Sequence, residues 1–280
     1  MSFQIRSVLG DSLYRLFSRN GLILVGAVFL VNVLLQIGLS SLFIGMWEEF
    51  WDEFVETYPE FADVFDDTDD LFPLAVDVPD SVALAIVVIG VLLSLILLAV
   101  ALRVFYSTEE HSIKTELVFD NIAWVTVNLF VGLIIFFILW SIGLALLIIP
   151  GIFVFVSFIY FIAAVSVEDR SFVDGFSRSW SLARGNRFKI FLLFFAVFVI
   201  TIVAAITFAL FTAFIHFLSP LAGTIVDQLW NALITLYFAA VVAISYRSLV
   251  EPDAPEEDVE ETPTEDAFDE FTPADQDAHW

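Results

Sequence analysis

Apolar runs of span length, separated by short polar punctuation, organise this chain. The first runs from about 21 to 45, and a second, 81–102, starts after Pro79-Asp80 and ends at Arg103. At about 1.5 Å per residue, each is long enough to cross a hydrocarbon core about 30 Å thick. Residues 121–167 then contain no charged side chain. A single helix of that length would reach about 70 Å, so the segment must fold back. The turn is expected between Trp140 and Gly151, with Pro150-Gly151 opening the return, which gives spans 121–143 and 151–167. Residues 190–246 repeat the arrangement around Ser219-Pro220, with Asp227 as the one formal charge, and give spans 189–217 and 222–246. The pattern predicts an all-α integral membrane protein, with six transmembrane helices in three hairpins occupying residues 1–250.

Polar periodicity adds detail outside the spans. In the loop 47–80, Trp47, Trp51, Phe54, Tyr58, Phe61 and Phe65 recur at spacings of 4, 3, 4, 3 and 4, one face of a helix. Glu48, Glu49, Asp52, Glu53, Glu56 and Asp63 fill much of the rest, so an outer amphipathic helix is expected, bedded on the membrane surface or capping the spans. Three other segments, about 3–19, 107–119 and 171–187, each precede a pair of spans. They read as cytoplasmic interfacial helices, with Arg reaching headgroups and apolar residues dipping into the acyl region. A weak threefold repeat of interfacial helix plus hairpin underlies the chain.

Charge turns this pattern into a topology. Loop 47–80 carries 13 carboxylates and no base, and one topology puts all 11 Lys and Arg on the other side. Short basic loops stay in the cytoplasm, so the expected location is the cell membrane, multi-pass, with N- and C-termini cytoplasmic. Residues 251–280 hold another 13 acids and four prolines, predicting a disordered acidic C-terminal tail. Phe268, Phe271 and Trp280 are its candidate docking residues. The formal net charge of −24 resides in these two blocks, and only two of the bases are Lys. Such an acidic, Lys-poor surface suits a halophilic archaeon, because concentrated salt screens the self-repulsion.

Signatures of chemistry are missing. The chain has no cysteine and only His111, His216 and His279, with no HExxH, no phosphate-binding P-loop and no GxSxG elbow. No enzyme activity, cofactor, metal site or nucleic-acid partner is expected. Polar groups at membrane depth remain the default candidates for a function. These are Asn32 and Gln36 on one face of the first span, Asn128 in the third, His216 ending the fifth, and Asp227 and Asn231 near the outer end of the sixth. His216 and Asp227 lie across the Ser219-Pro220 turn and are placed to approach each other.

The stretch from Leu146 to Phe198 is the most distinctive. It runs through Ile149-Pro150-Gly151-Ile152, Glu168-Asp169, Gly175, Arg178-Ser179-Trp180 and Ala183-Arg184-Gly185-Asn186-Arg187-Phe188. It resembles the membrane domain attached to bacterial glycerophosphodiester phosphodiesterases, and a group of uncharacterised haloarchaeal six-span proteins. The resemblance implies a multi-span membrane protein associated with envelope or lipid metabolism. No phosphodiesterase domain is present, and Ser177 stands where the pattern has a second Arg. As chemistry, the stretch is a basic elbow in which Phe172, Phe176 and Trp180 form an i, i+4, i+8 stripe. Arg178, Arg184 and Arg187 can reach phosphate headgroups or pair with Glu168 and Asp174.

The function expected is therefore a non-catalytic membrane protein whose elbow engages membrane lipids or a membrane partner. The candidate residues are Arg178, Trp180, Arg184, Asn186, Arg187 and Lys189, and the partner would be another membrane protein or a second copy in a homo-oligomer. The alternative is a transporter or channel for a small solute or ion, using Asn32, Gln36, Asn128, His216, Asp227 and Asn231.

Overall fold

A computed structural model describes residues 5–59, 71–107 and 119–251. Phe61, Asp63, Phe65, His111 and Lys114, most of the segment 107–119, and the tail from 252 with Phe268, Phe271 and Trp280 lie outside the described residues.

Nine helices build the described chain: α1 (Ile5–Leu16), α2 (Arg19–Thr57), α3 (Asp80–Tyr106), α4 (Ile122–Leu146), α5 (Ile148–Phe158), α6 (Phe161–Val167), α7 (Phe172–Ala183), α8 (Arg187–Leu218) and α9 (Pro220–Val250). Six stretches are long and apolar enough to span a membrane, with α5 and α6 together making the fourth. The chain is an all-α multi-span membrane protein whose spans pair as hairpins α2–α3, α4–α5/α6 and α8–α9.

Local chemistry sets the boundaries. Ser18 caps α2 by accepting from the Gly21 amide at 3.2 Å, and Ser219 caps α9 by accepting from Ala222 at 3.3 Å, with Pro220 in its first turn. Leu147, extended at φ −170° and ψ 156°, breaks α4 from α5. The two helices then close tightly because a Cβ on Gly143 would lie 2.9 Å from the Gly151 Cα. At the other end of α7, Gly185 takes φ +94°, a conformation that glycine adopts without strain.

Two expected boundaries move. The first span and the acidic aromatic helix are one continuous helix, α2, because nothing between Gly45 and Thr57 breaks it. Its stripe stacks on itself, with Trp47–Trp51 centroids 6.0 Å apart, Trp51–Phe54 5.3 Å and Phe54–Tyr58 5.1 Å. The fourth span is broken at Ile159-Tyr160 into α5 and α6 instead of running straight from 151 to 167.

Residues are buried unevenly. In their most apolar windows α5–α6 and α9 are 56% buried, against 22% for each of the other four spans, so these two form the interior. Helix α9 packs against α1, α2, α3 and α8, and α6 packs against α3, α4 and α7. Small residues permit the close approach: Ala239, Ala240 and Ala243 of α9 and Ala163 and Ala164 of α6 are all 1% exposed or less. Helix α1, expected to lie at the interface, buries Val8, Ser12 and Leu16 and packs chiefly on α9. The bundle thus has a basic end, where α1, α7 and the ends of α3, α6 and α9 meet, and an acid-rich end, where α2 extends through Glu48, Glu49, Asp52, Glu53 and Glu56.

Candidate functional site

The elbow between α6 and α8 is held from three directions. Helix α7 begins with Ser171, whose hydroxyl accepts from the Asp174 amide at 3.2 Å and donates to the Asp174 carboxylate at 2.6 Å. The next amide, Phe172 N–H, donates to the Asn128 side chain of α4 at 2.9 Å, while the Asn128 NH2 group donates to the Trp124 carbonyl at 2.9 Å. One asparagine thereby occupies an orphan donor of α7 and ties α7 to α4. The stripe of α7 is half-buried, with Trp180 still 39% exposed. Phe176 stacks on Phe161 at 4.6 Å, and Trp180 lies 5.6 Å from Phe158 and 5.9 Å from Phe153. Beneath it the buried Ser179 hydroxyl donates to the Ser157 carbonyl at 2.9 Å.

Glu168 is the centre of the polar network. Its carboxylate accepts from Arg170 at 2.5 Å, from Arg178 at 3.2 Å and from the Tyr246 hydroxyl, so α6, α7 and α9 converge on one group. Burial raises the tendency of this carboxyl to hold its proton. The Tyr246 and Arg170 hydrogen bonds and the charges of Arg178 and Arg170 outweigh that effect, and the pKa falls below the ordinary 4.5. Asp169 follows at φ +52°, and its carboxylate accepts from Arg103 at 2.6 Å. Arg103 also donates to the Ser166 and Asp120 carbonyls at 2.6 and 2.7 Å. Arg15 of α1 donates to the Phe105 carbonyl at 3.0 Å and to that of Ser107, and Arg247 donates to the Tyr106 carbonyl at 3.2 Å. These arginines are brackets that satisfy helix-end carbonyls and bind spans together.

The remaining bases of the elbow are arranged differently. Arg187 opens α8 with its guanidinium 4.4 Å from the Trp180 ring centroid and 4.7 Å from that of Phe153. Two faces of aromatic charge thus hold the cation in place. Its Nε and Nη2 are buried and have no hydrogen-bond partner among the described residues. Asn186, the N-cap of α8, makes no capping bond through its side chain, which donates at 3.4 Å to the Leu182 carbonyl instead. Arg184 and Lys189 are exposed on either side. A stacked guanidinium, two exposed cations and an uncapped helix N-terminus together form an anion-attracting corner.

The intramembrane polar residues do not gather in one place. Asn32 and Gln36 lie in the seam between α2 and α9, Asn128 serves α7, and Asn231 is exposed on α9. His216 and Asp227 do meet, with Nε2 and Oδ2 2.8 Å apart in a half-exposed pair at the acid-rich end. Sequence reasoning missed Tyr246, Arg103 and Phe153. Their partners lie tens of residues away, and nothing local distinguishes a tyrosine or phenylalanine with such a role.

Fold and site together define a helical multi-span membrane protein with a basic, aromatic-lined elbow at one end. Over residues 3–249 the chain matches the profile of a domain of unknown function, DUF7847, and it belongs to that family. No curated protein and no solved structure matches it.

Proposed function

We propose that this protein is a non-catalytic membrane protein whose basic elbow holds the phosphate of an anionic lipid headgroup. The observation that carries the reading is the Arg187 guanidinium, stacked against Trp180 and Phe153 and without a carboxylate partner among the described residues. A guanidinium held in place with no countercharge attracts an anion, and phosphate is the anion whose oxygens suit it best. Arg184, Lys189 and the first amides of α8 converge on the same anion. Arg178 is assigned a different part: pairing with Glu168 makes it the brace that sets α7 in position.

The finer reading goes with this one. The cell membrane, with both termini in the cytoplasm, is the location supported by the one-sided bases. A halophilic archaeal source fits the net charge of −24, and the Arg178-Ser179-Trp180 and Arg184-Gly185-Asn186 text supports kinship with the membrane domain of the glycerophosphodiester phosphodiesterases.

The test is a thermal-unfolding titration of the detergent-solubilised protein with short-chain anionic and zwitterionic phospholipids. At a hundredfold excess over its dissociation constant, a ligand of the native state stabilises by about 2.7 kcal/mol. Anionic lipid is expected to raise the unfolding temperature saturably, and the combined Arg184→Gln, Arg187→Gln, Lys189→Gln variant is expected to lose that increment. Equal shifts with both lipids, or an unchanged increment in the variant, would overturn the reading.

A further inference from the structure

The seam between α2, α3 and α9 carries uncharged polar side chains at a depth where hydrocarbon offers them no partner. On α2, Asn32, Gln36 and Ser40 recur every fourth residue and share one face. On α9, Gln228 and Thr235 are seven apart and share another. The fold sets these faces together: Gln228 Nε2 donates to Gln36 Oε1 at 3.4 Å, and Gln36 Nε2 donates to Ser40 Oγ at 3.2 Å. One turn nearer the basic end, Asn32, Ser94 and Thr235 share with seven apolar residues the lining of a mainly apolar pocket with about 50 Å³ of room, enough for one or two water molecules. The Ser94 hydroxyl donates to the Gly90 carbonyl at 2.9 Å, whereas the Asn32 amide and the Thr235 hydroxyl have no hydrogen-bond partner among the described residues.

The two ends of this seam differ. Toward the acid-rich end, polar groups continue through Gln36 and Gln228 to the buried Ser40. Toward the basic end the seam is closed by Ala101, Leu236 and Ala239, each 1% exposed or less. Unmatched amides and hydroxyls at membrane depth are stable only where water or protein reaches them. No formally charged side chain lines the pocket, so its contents need no countercharge.

We propose that the seam is a blind, hydrated cleft entered from the acid-rich end. Its floor, formed by Asn32, Ser94 and Thr235, binds water or an uncharged hydrogen-bonding solute of a few heavy atoms. Closure by α9 beneath the floor makes it a binding vestibule and not a continuous pore.

The natural absence of cysteine makes the test direct. Single variants Gln36→Cys, Asn32→Cys, Thr235→Cys and Ala239→Cys of the full-length protein are reconstituted in vesicles, with Glu48→Cys reporting the acid-rich face. Silver ion, a water-sized thiol reagent, is applied from either face, and blocked thiols are counted by later maleimide labelling after denaturation. Exposed thiols outreact buried ones, so the half-buried residues 36 and 32 and the exposed 235 are expected to be blocked at least about tenfold faster than 239, from the acid-rich face alone. If Asn32→Cys fails to fold, Ser94→Cys probes the same floor. Reaction at 32, 94 and 235 no faster than at 239, faster from the basic face, or faster with a lipid-soluble maleimide than with silver, would overturn the proposal.

Discussion

At the basic end, α9 buries every residue from Ala239 to Tyr246, whereas at the acid-rich end the same helix buries only Gly223 and Ala232. Its neighbours follow suit. Helix α8 buries Ile190, Leu193, Phe194 and Val197 in its first third and only Thr212 beyond, and α3 buries Ala99 to Leu102 and Phe105 near its end. The polar groups divide less sharply. Glu168, Asp169, Arg15, Arg103 and Arg178 are bonded across helices at the basic end, whereas toward the other end Gln36–Gln228 and His216–Asp227 are bonded across helices and Asn32, Asn231 and Thr235 form no such bonds among the described residues. Lipid tails are as apolar as leucine, so helices in a membrane cohere through close packing and hydrogen bonds. Both are concentrated at the basic end. That half is a rigid base for the elbow, and the slacker half has room for water along α9.

The sharpest way to break this contrast is to overfill each half. Ala240→Leu, in the fully buried stretch of α9, is expected to destabilise by about 1–3 kcal/mol, while Ala209→Leu on the exposed face of α8 stays within about 0.5 kcal/mol. Denaturant unfolding in mixed micelles reads both, and equal losses would show that the halves do not differ. Removing carboxylates sharpens the same point. Glu168→Ala strands Arg170, Arg178 and Tyr246 and is expected to cost about 1–3 kcal/mol, whereas Asp227→Asn at the half-exposed pair costs about 0–1 kcal/mol.

A smaller effect appears with acid. Because the folded protein holds the Glu168 pKa below its ordinary value, the carboxylate's contribution to stability is fully present above the ordinary carboxylate pKa. It is lost progressively as pH falls from there through the lowered folded-state pKa. Unfolding followed between neutral and strongly acidic pH is expected to show this decline in the wild type and a weaker one in Glu168→Gln. Coincident curves would mean that the carboxylate is not held by its partners.

Much of the fold was legible because its cause is local. Uncharged runs, Pro150-Gly151 and Ser219-Pro220 mark spans and turns by composition alone, and His216 and Asp227 could be paired because one turn brings them together. The continuity of α2 was not legible: a change from apolar to acidic looks like a boundary, yet a helix ends only where its backbone is broken. The break at Ile159-Tyr160 has no proline or glycine marker. At the elbow, the cluster of bases was evident from sequence, but its division of labour was not. Whether an arginine braces or binds depends on partners such as Tyr246, which lies 78 residues from Glu168, and Phe153, which shares Arg187 with Trp180.

The most direct test of the elbow is native mass spectrometry of the full-length protein, released from nanodiscs containing equal amounts of anionic and zwitterionic phospholipid. The account predicts that wild type and Asp227→Asn retain anionic lipid preferentially, and that Arg184→Gln, Arg187→Gln and Lys189→Gln together abolish the preference while the protein stays folded. Retention of both lipids in equal measure by the wild type, or an undiminished preference in the triple variant, would contradict it.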